Sequence, residues 1–439
     1  MQFDETRGRR LALLPASATA DAALIVAARA VRAFGDGFVS VLLPLYLTGL
    51  GYSGLAVGAI TTATLLGSAA LTLAVGLAAY RLPRRRVLAV AALLMLATGL
   101  GFAATQSFWP LLLIAFAGTL NPSAGDVSVF LPLEQTLLPQ TVSDRERTSL
   151  FARYSLVASL AGAGGALAAG LPELAERRSA LGLQTALELM FVLYALLALV
   201  ALLLYRRLSA KIEPDAALPP APLGESKPVV YRLAALFSLD AFGGGFVVQS
   251  LLALWLFERY DLSVTTAGTI FFWAGILTAL SYLVAARLAG RIGLVNTMVF
   301  THLPSNLFLI LVPLMPTLPL AVACLLARSA LSQMDVPTRS SYVMAVVTPP
   351  ERPAAASVTS VPRSLAAASS PLLAGWLLGL TTFGWPLIIA GTLKAIYDLL
   401  LLGMFKTVRP PEEAERPPQA GDSSAGRKRR WHGARSRRW

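Results

Sequence analysis

The seven residues at 33–39, Ala-Phe-Gly-Asp-Gly-Phe-Val, return 208 positions later at 241–247 with one change, Gly244 standing where the first copy has Asp36. A weaker second anchor aligns 76–83 with 286–293 at an offset of 210, sharing Ala79/Ala289 and Arg81/Arg291. The chain is therefore a tandem duplication, and its fold must be built from two copies of one unit. In a hydrophobic chain, two halves in register point to a transport site at the interface between repeats.

The chain is hydrophobic enough for that reading. With 56% hydrophobic and 14% charged residues and a mean hydropathy of +0.65, its 439 residues exceed what one apolar core of a soluble domain could absorb. A helix crossing the hydrocarbon needs about 20 mostly apolar residues. Twelve such stretches are expected, near 21–50, 54–80, 86–105, 108–138, 149–171, 182–206, 229–258, 264–289, 294–314, 317–347, 354–380 and 383–406. Six fall in each half. A barrel is disfavoured, because barrel strands alternate apolar and polar residues, whereas 196–204 is apolar without a break. The expected fold class is an all-α membrane protein, twelve helices in two six-helix bundles related by a pseudo-twofold axis.

Other classes find little support. The single cysteine, Cys324, cannot form an intrachain disulfide and is read as a packing residue. With only His302 and His432, no histidine cluster is available, so no metal or other cofactor is expected. The leader imitates a signal peptide, but its apolar part, 11–14, ends at Pro15, and no cleavage is expected. No GxSxG, HExxH, phosphate-binding loop or dinucleotide fingerprint occurs, so an enzyme is not expected.

Charge sets the orientation. With the N-terminus cytoplasmic, 27 of the 37 Lys and Arg residues fall on that side, and only Arg177, Arg178 and Arg259 on the other. The remaining seven lie within spans. This split places both ends inside, which requires an even number of crossings. Trp109, Trp255 and Trp385 fall at outer helix ends, as an interfacial aromatic belt would have them. The expected organisation is a leader at 1–20, a bundle at 21–206, a Pro-rich cytoplasmic linker at 207–228 that joins the halves without fixing them, a second bundle at 229–406 and a disordered basic tail at 407–439. The tail's 427–439 segment, with seven positive charges and two indoles, should lie on anionic lipid headgroups; no nucleic acid is expected as a partner.

Six plus six spans, cytoplasmic ends, a long central loop and a Gly/Arg motif after the second span of each half resemble the major facilitator superfamily, over about 21–406. The family's loop motif has the form G-x-L-a-D-R-x-G-R-R. Gly76, Arg81, Arg84 and Arg85 fit it in the first half, and Leu288, Arg291 and Gly293 in the second. Both copies lack the acid, with Tyr80 and Gly290 in its place. The resemblance implies that this loop steadies one conformation, so Arg81 needs another partner here. Gly162, Gly164, Gly165, Gly170 and Pro172 resemble a degraded form of the motif of proton-driven exporters, with Pro371, Gly375 and Gly379 in the eleventh span. Tight helix packing is the plainer reading of these glycines.

Ionisable residues near a helix centre cost about 2.5 to 3.5 kcal/mol unless paired or hydrated, so their positions are the best clue to mechanism. Arg29, Arg32 and Asp36, at i, i+3 and i+7, share one stripe of the first span. The repeat partner of Arg32 is Asp240, so the sign of charge is exchanged between halves. The resemblance implies that the first, fourth, seventh and tenth spans line a central cavity. The fourth carries Asp126 and Glu134, the seventh Asp240 and Gln249, and the tenth Asp335 and Arg339. Arg153 and Arg363 correspond at an offset of 210 near the cytoplasmic ends and join the gate candidates.

Two readings compete. In one, these groups are internal ion pairs: Arg32 with Asp36, Asp335 with Arg339, and Glu134 with Arg153. In the other, a carboxylate carries a coupling proton, Asp36 and Asp240 first, then Asp126 and Asp335. Arg29 and Arg32 could instead hold an anionic substrate. The expected function is secondary transport of a small organic solute by a monomer in a bacterial inner membrane, with proton-coupled efflux ahead of uptake or facilitated diffusion. A non-transporting receptor or scaffold is the alternative from another class.

Overall fold

The computed structural model describes residues 14–78, 83–123, 128–143, 146–213, 223–348 and 351–406, and no strand occurs among them. The first half is built from α1 (Ala20–Gly49), α2 (Gly54–Ala78), α3 (Arg84–Ala104), α4 (Phe108–Ala117), α5 (Phe130–Leu137), α6 (Arg147–Ala168), α7 (Leu171–Arg178) and α8 (Leu183–Arg206). The second contains α9 (Lys227–Gly245), α10 (Gln249–Tyr260), α11 (Val264–Ile292), α12 (Leu294–Leu311), α13 (Leu318–Leu331), α14 (Asp335–Val346), α15 (Arg352–Leu380) and α16 (Trp385–Phe405). The end where α1 starts is called the near end below, and the end where α1 hands over to α2 the far end.

The duplication is visible in the packing. In the first half α1 lies against α6 and α3 against α8; in the second, α9 lies against α15 and α12 against α16. The two bundles meet along α2 with α15 and α11 with α6, an exchange that a twofold relation requires. Small residues permit both seams. A Cβ on Gly58 would come 2.6 Å from the Pro371 carbonyl oxygen, and one on Gly275 would come 2.8 Å from the Ala163 Cβ. The fifth-span glycines serve the same end within their half, since Gly162 and Gly165 receive α1 at Gly37 and Phe34. Close backbone approach of this kind adds dispersion contacts where lipid offers no hydrophobic driving force.

All twelve expected stretches contain helix, yet only nine segments of the described residues are long and apolar enough to cross a bilayer. The shortfall has local causes. The fourth and tenth stretches are each broken, leaving the shorter apolar helices Phe108–Ala117 and Leu318–Leu331, and the eleventh is 29 residues long but rich in serine with Pro362 and Pro371 inside it. The seventh also breaks, at 246–248, directly after Gly243, Gly244 and Gly245. Its repeat partner α1 runs unbroken through the same motif, where Asp36 replaces one of three consecutive glycines. Each glycine costs a helix about 1 kcal/mol relative to alanine, so the single difference between the copies falls where their helices diverge.

Apolar side chains divide between core and lipid. Val90, Leu93 and Leu100 on α3, and Leu196, Leu199 and Leu203 on α8, are exposed in stripes suited to acyl chains. Trp109 and Trp385 are also exposed. Trp255 departs from the aromatic-belt expectation: it is fully buried and donates its indole N–H to the Thr382 carbonyl at 3.1 Å, because α10 is an interior helix of the far end.

The connecting segments are anchored where they are described. A 3-10 turn at Ala210–Ile212 buries Ile212, and Glu213 then accepts the backbone N–H groups of Arg84 and Arg85 at 3.0 and 2.9 Å. Those two donors begin α3 and have no partner inside the helix. The other end of the linker is held to the second half, the Ser226 N–H donating to Glu351 at 3.2 Å. The linker therefore fixes each of its ends to its own bundle. Its middle, the 407–439 tail and residues 1–13 lie outside the described residues.

Candidate functional site

The stripe expected on α1 is present, and Arg29, Arg32 and Asp36 are all buried. Their partners differ from those expected. Arg32 does not pair with Asp36, one turn away on the same helix; its Nη2 donates to Glu134 Oε2 at 2.7 Å. Glu134 in turn is not held by Arg153. The break in the fourth span lets α5 bring Glu134 up to the level of Arg32, and the neighbour of Arg153, Tyr154, supplies a hydroxyl donor to the same carboxylate. Tyr205 on α8 donates to Glu134 Oε1 at 2.5 Å and accepts from Arg32 Nε at 3.0 Å. The Arg32 guanidinium also lies 4.0 Å from the centre of the Phe130 ring, a cation–π contact. Arg29 sits over the ring of Tyr154 at 5.5 Å.

Asp36 occupies a separate niche closer to the far end. Asn121 donates to its Oδ2 at 3.3 Å and Tyr194 to its Oδ1 at 3.4 Å. Gln249, from the other bundle, reaches Ser40 one turn further along α1 at 2.9 Å. The Ser250 N–H bonds to the Pro122 carbonyl at 3.1 Å, and Thr265 Oγ1 donates to Glu173 at 2.5 Å. These joins between the bundles gather at the far end.

The second half carries the reversed charge arrangement. Asp240, on α9, accepts from Arg339 Nη2 at 3.0 Å and from Lys394 Nζ at 2.7 Å. The expected Asp335–Arg339 pair is also present, so one guanidinium joins two carboxylates. Behind this group, His302 Nδ1 lies 2.9 Å from Asp398 Oδ1, while its Nε2 faces Asp240 at 3.9 Å. Asn306, one turn along α12, donates to Asp398 Oδ2 at 2.8 Å. Phe237 and Tyr397 wall the cluster, their ring centres 5.1 and 5.9 Å from the Arg339 guanidinium carbon. Arg32 and Asp240 are equivalent by repeat, and each meets opposite charge from its own half, Glu134 on α5 for Arg32 and Arg339 on α14 with Lys394 on α16 for Asp240.

Three members of this cluster, Lys394, His302 and Asp398, are not among the site residues that the sequence points to. Lys394 is one of the seven charges within spans, and His302 enters there only as one of two histidines, too few for a metal cluster. All three lie on α12 and α16, which the resemblance does not place at a cavity. The readable signal was Lys394 and Asp398 at i, i+4 in a helix that is otherwise almost wholly apolar.

The gate candidates are placed more unevenly. Arg84 and Arg85 open α3 on Glu213, an acid of the linker that accepts both of their backbone N–H groups. Gly293 makes the turn from α11 to α12 with φ +88°, which explains glycine there without a gating role. Gly76 and Arg291 lie in the near-end turns of α2 and α11, and Arg363 is exposed on the near half of α15. Arg81 and Asp126 lie outside the described residues.

A sequence profile of the Major Facilitator Superfamily matches residues 25–327 and 233–439. The uncharacterized membrane protein YJR124C of Saccharomyces cerevisiae is 26% identical over 424 residues, covering 88% of this chain and 94% of its own. Among solved structures, the nucleoside transporter NupG superposes with a TM-score of 0.66 at 15% identity over 88% of this chain and all of its own. A bacterial homolog of the human lysosomal transporter Spinster, inward-facing and occupied, gives 0.69 at 13% identity over 88% and 97% of the two chains. The human organic anion transporter MFSD10 gives 0.60 at 19% identity over 87% and 99%. These likenesses extend over nearly the whole of both chains, and with the duplicated bundles and the profile match they establish that this chain belongs to the major facilitator superfamily.

Proposed function

We propose that this protein is a secondary active transporter that moves a small organic solute by alternating access, in exchange for protons and in the direction of efflux. It would work as a monomer in a bacterial inner membrane, with both termini cytoplasmic as the charge split favours. The observation that carries the reading is the pair of buried charge groups of opposite polarity, Arg32–Glu134 and Asp240–Arg339–Lys394, one in each bundle of a twofold fold. A merely structural protein gains little from such groups, since each desolvated ion costs several kcal/mol before its partner offsets it. Ser357, Ser360 and Ser364 form an exposed hydroxyl stripe beside Arg363 on the near half of α15, which suits a hydrated vestibule better than acyl chains. In this scheme Asp36 and Asp240 are the acids whose protonation the transport cycle uses.

The test is flux in reconstituted vesicles under an imposed pH gradient, screened with organic cations, organic anions and nucleosides. At least one solute should move against its gradient in the wild type. Asp36→Asn and Asp240→Asn should abolish gradient-driven movement while solute exchange at zero gradient persists. Movement that ignores the pH gradient, or unchanged coupled flux in both variants, refutes the coupling. The sign of the driven flux separates efflux from uptake.

A further inference from the structure

We propose that His302 and Asp398 form a proton store inside the second bundle that serves Asp240, deepening the coupling role given to Asp240 above and resting on it. The site lies between α9, α12 and α16, away from the seam between the bundles.

The argument begins with charge. Asp240, Asp335 and Asp398 are buried with Arg339 and Lys394, so three carboxyl groups meet one guanidinium and one amine inside the bundle. A cluster sealed in a membrane bundle is strongly driven towards neutrality. One added proton supplies it, and His302 is the side chain placed to hold that proton, 4% exposed and flanked by two acids. An imidazolium has two N–H donors. Nδ1 faces Asp398 Oδ1 at 2.9 Å, and Nε2 faces Asp240 Oδ1 at 3.9 Å. Asn306 holds the other oxygen of Asp398, and the Tyr397 ring stands edge-on to the imidazole with centres 6.0 Å apart, so the ring is oriented from two sides.

The surroundings contain no better proton holder. On the elements packed against α12, the ionisable groups are Tyr397, Asp398 and Lys394 of α16, Cys324 and Arg328 of α13, Asp335, Arg339 and Tyr342 of α14, and Tyr282, Arg287 and Arg291 of α11. Arginines and lysine bring positive charge that opposes further protonation, and Asp335 is engaged by Arg339. Arg363, across α15, adds positive charge on the same side.

The step is a simple transfer. The Nε2–H bond of the imidazolium breaks and an O–H bond forms on Asp240 Oδ1. His302 is left neutral, with its Nδ1–H donating to the Asp398 carboxylate. Protonated Asp240 no longer attracts Lys394 and Arg339 as an anion, which loosens the joint between α9 and the helices α14 and α16. Asp398 acts as a positioning residue, fixing which ring nitrogen faces Asp240.

The chain's only other histidine is His432, in the tail, so His432→Gln leaves one imidazole to observe. In this background, ¹⁵N-histidine NMR of the full chain in lipid nanodiscs should show an imidazolium at pH 7, and Asp398→Asn should convert it to a neutral ring at the same pH. A neutral ring in the parent, or an imidazolium that persists in Asp398→Asn alone, overturns the proposal. In Lys394→Met with Asp398→Asn two acids again exceed the one remaining cation, so by the same count the imidazolium should return, which also shows that Asp398→Asn had not simply misfolded; a ring that stays neutral there overturns the proposal. The pH-driven vesicle assay then separates the two readings. If the wild type shows coupled flux and His302→Gln keeps it in full, the store is wrong while the coupling stands. If the wild type shows no coupled flux, the coupling itself fails whatever the NMR reports. Gradient-driven flux falling at least tenfold in His302→Gln, with zero-gradient exchange retained, supports both.

Discussion

Replacing Glu134 with glutamine should damage the protein more than removing its charged partner at the same time. In the folded chain Glu134 is fully buried and receives Arg32 at 2.7 Å, Tyr205 at 2.5 Å and the Tyr154 hydroxyl, while Arg32 is 1% exposed. Glutamine keeps the shape but deletes the carboxylate charge that the Arg32 guanidinium meets at 2.7 Å in a low-dielectric site. Breaking a buried pair in this way costs about 3–5 kcal/mol. The Phe130 face, present before and after, offsets none of it. In Arg32→Met with Glu134→Gln, neither member of the pair is charged and the amide oxygen still accepts from one tyrosine. The remaining loss is one unpaired hydroxyl, about 1–3 kcal/mol. The double variant should therefore exceed Glu134→Gln in stability by about 2 kcal/mol, roughly thirtyfold in an unfolding equilibrium. Because membrane proteins often unfold irreversibly, the practical measure is the half-life of the monodisperse protein in mild detergent at fixed temperature. A double variant no longer-lived than Glu134→Gln would refute the claim that losing the carboxylate charge opposite Arg32 is the main cost.

Two further outcomes follow from the seams and the leader. Gly58→Val should force α2 and α15 apart at the far end, raising maleimide labelling of a cysteine introduced at Ser40 in a Cys324→Ser background by several-fold; unchanged labelling would mean that the Pro371 carbonyl can yield without parting the bundles. The Ser17 hydroxyl and amide, at 2.5 and 3.0 Å, hold the Glu146 carboxyl below its usual 4.5. A depressed folded value means that the tether is complete above the ordinary carboxylate range and is lost as pH falls through the lowered value. Hydrogen exchange at Ser17 should thus be slower in the wild type than in Glu146→Gln at pH 7, and the two should converge in acid; identical rates at pH 7 would dismiss the tether.

Helix positions, the duplication and the sign exchange at Arg32 and Asp240 were legible in the sequence because each depends on composition or register alone. Pairing was not. Asp36 lies at i+4 from Arg32, so the local rule joins them, but the break in the fourth span moves Glu134 to the right depth and a carboxylate with two tyrosine donors competes better than a same-helix neighbour. Asp335–Arg339 could be read because there the local rule and the packing agree. The His302–Asp398 group stayed hidden for a different reason. Its members sit 96 residues apart on helices that the resemblance does not place at the cavity, so neither proximity in sequence nor the expected cavity points to them. Trp255 shows the same weakness, because a position at a helix end does not say which way the ring faces.

Glu213 and Ser226 are each tied to their own bundle, and thirteen peptide steps lie between them. At no more than about 3.6 Å per residue, that tether could stretch to roughly 45 Å. That reach bounds how far the two bundles can part. Whatever holds this protein in one posture rather than another must come from helix against helix, and cutting the chain between 213 and 226 should leave a pair of fragments that still dock.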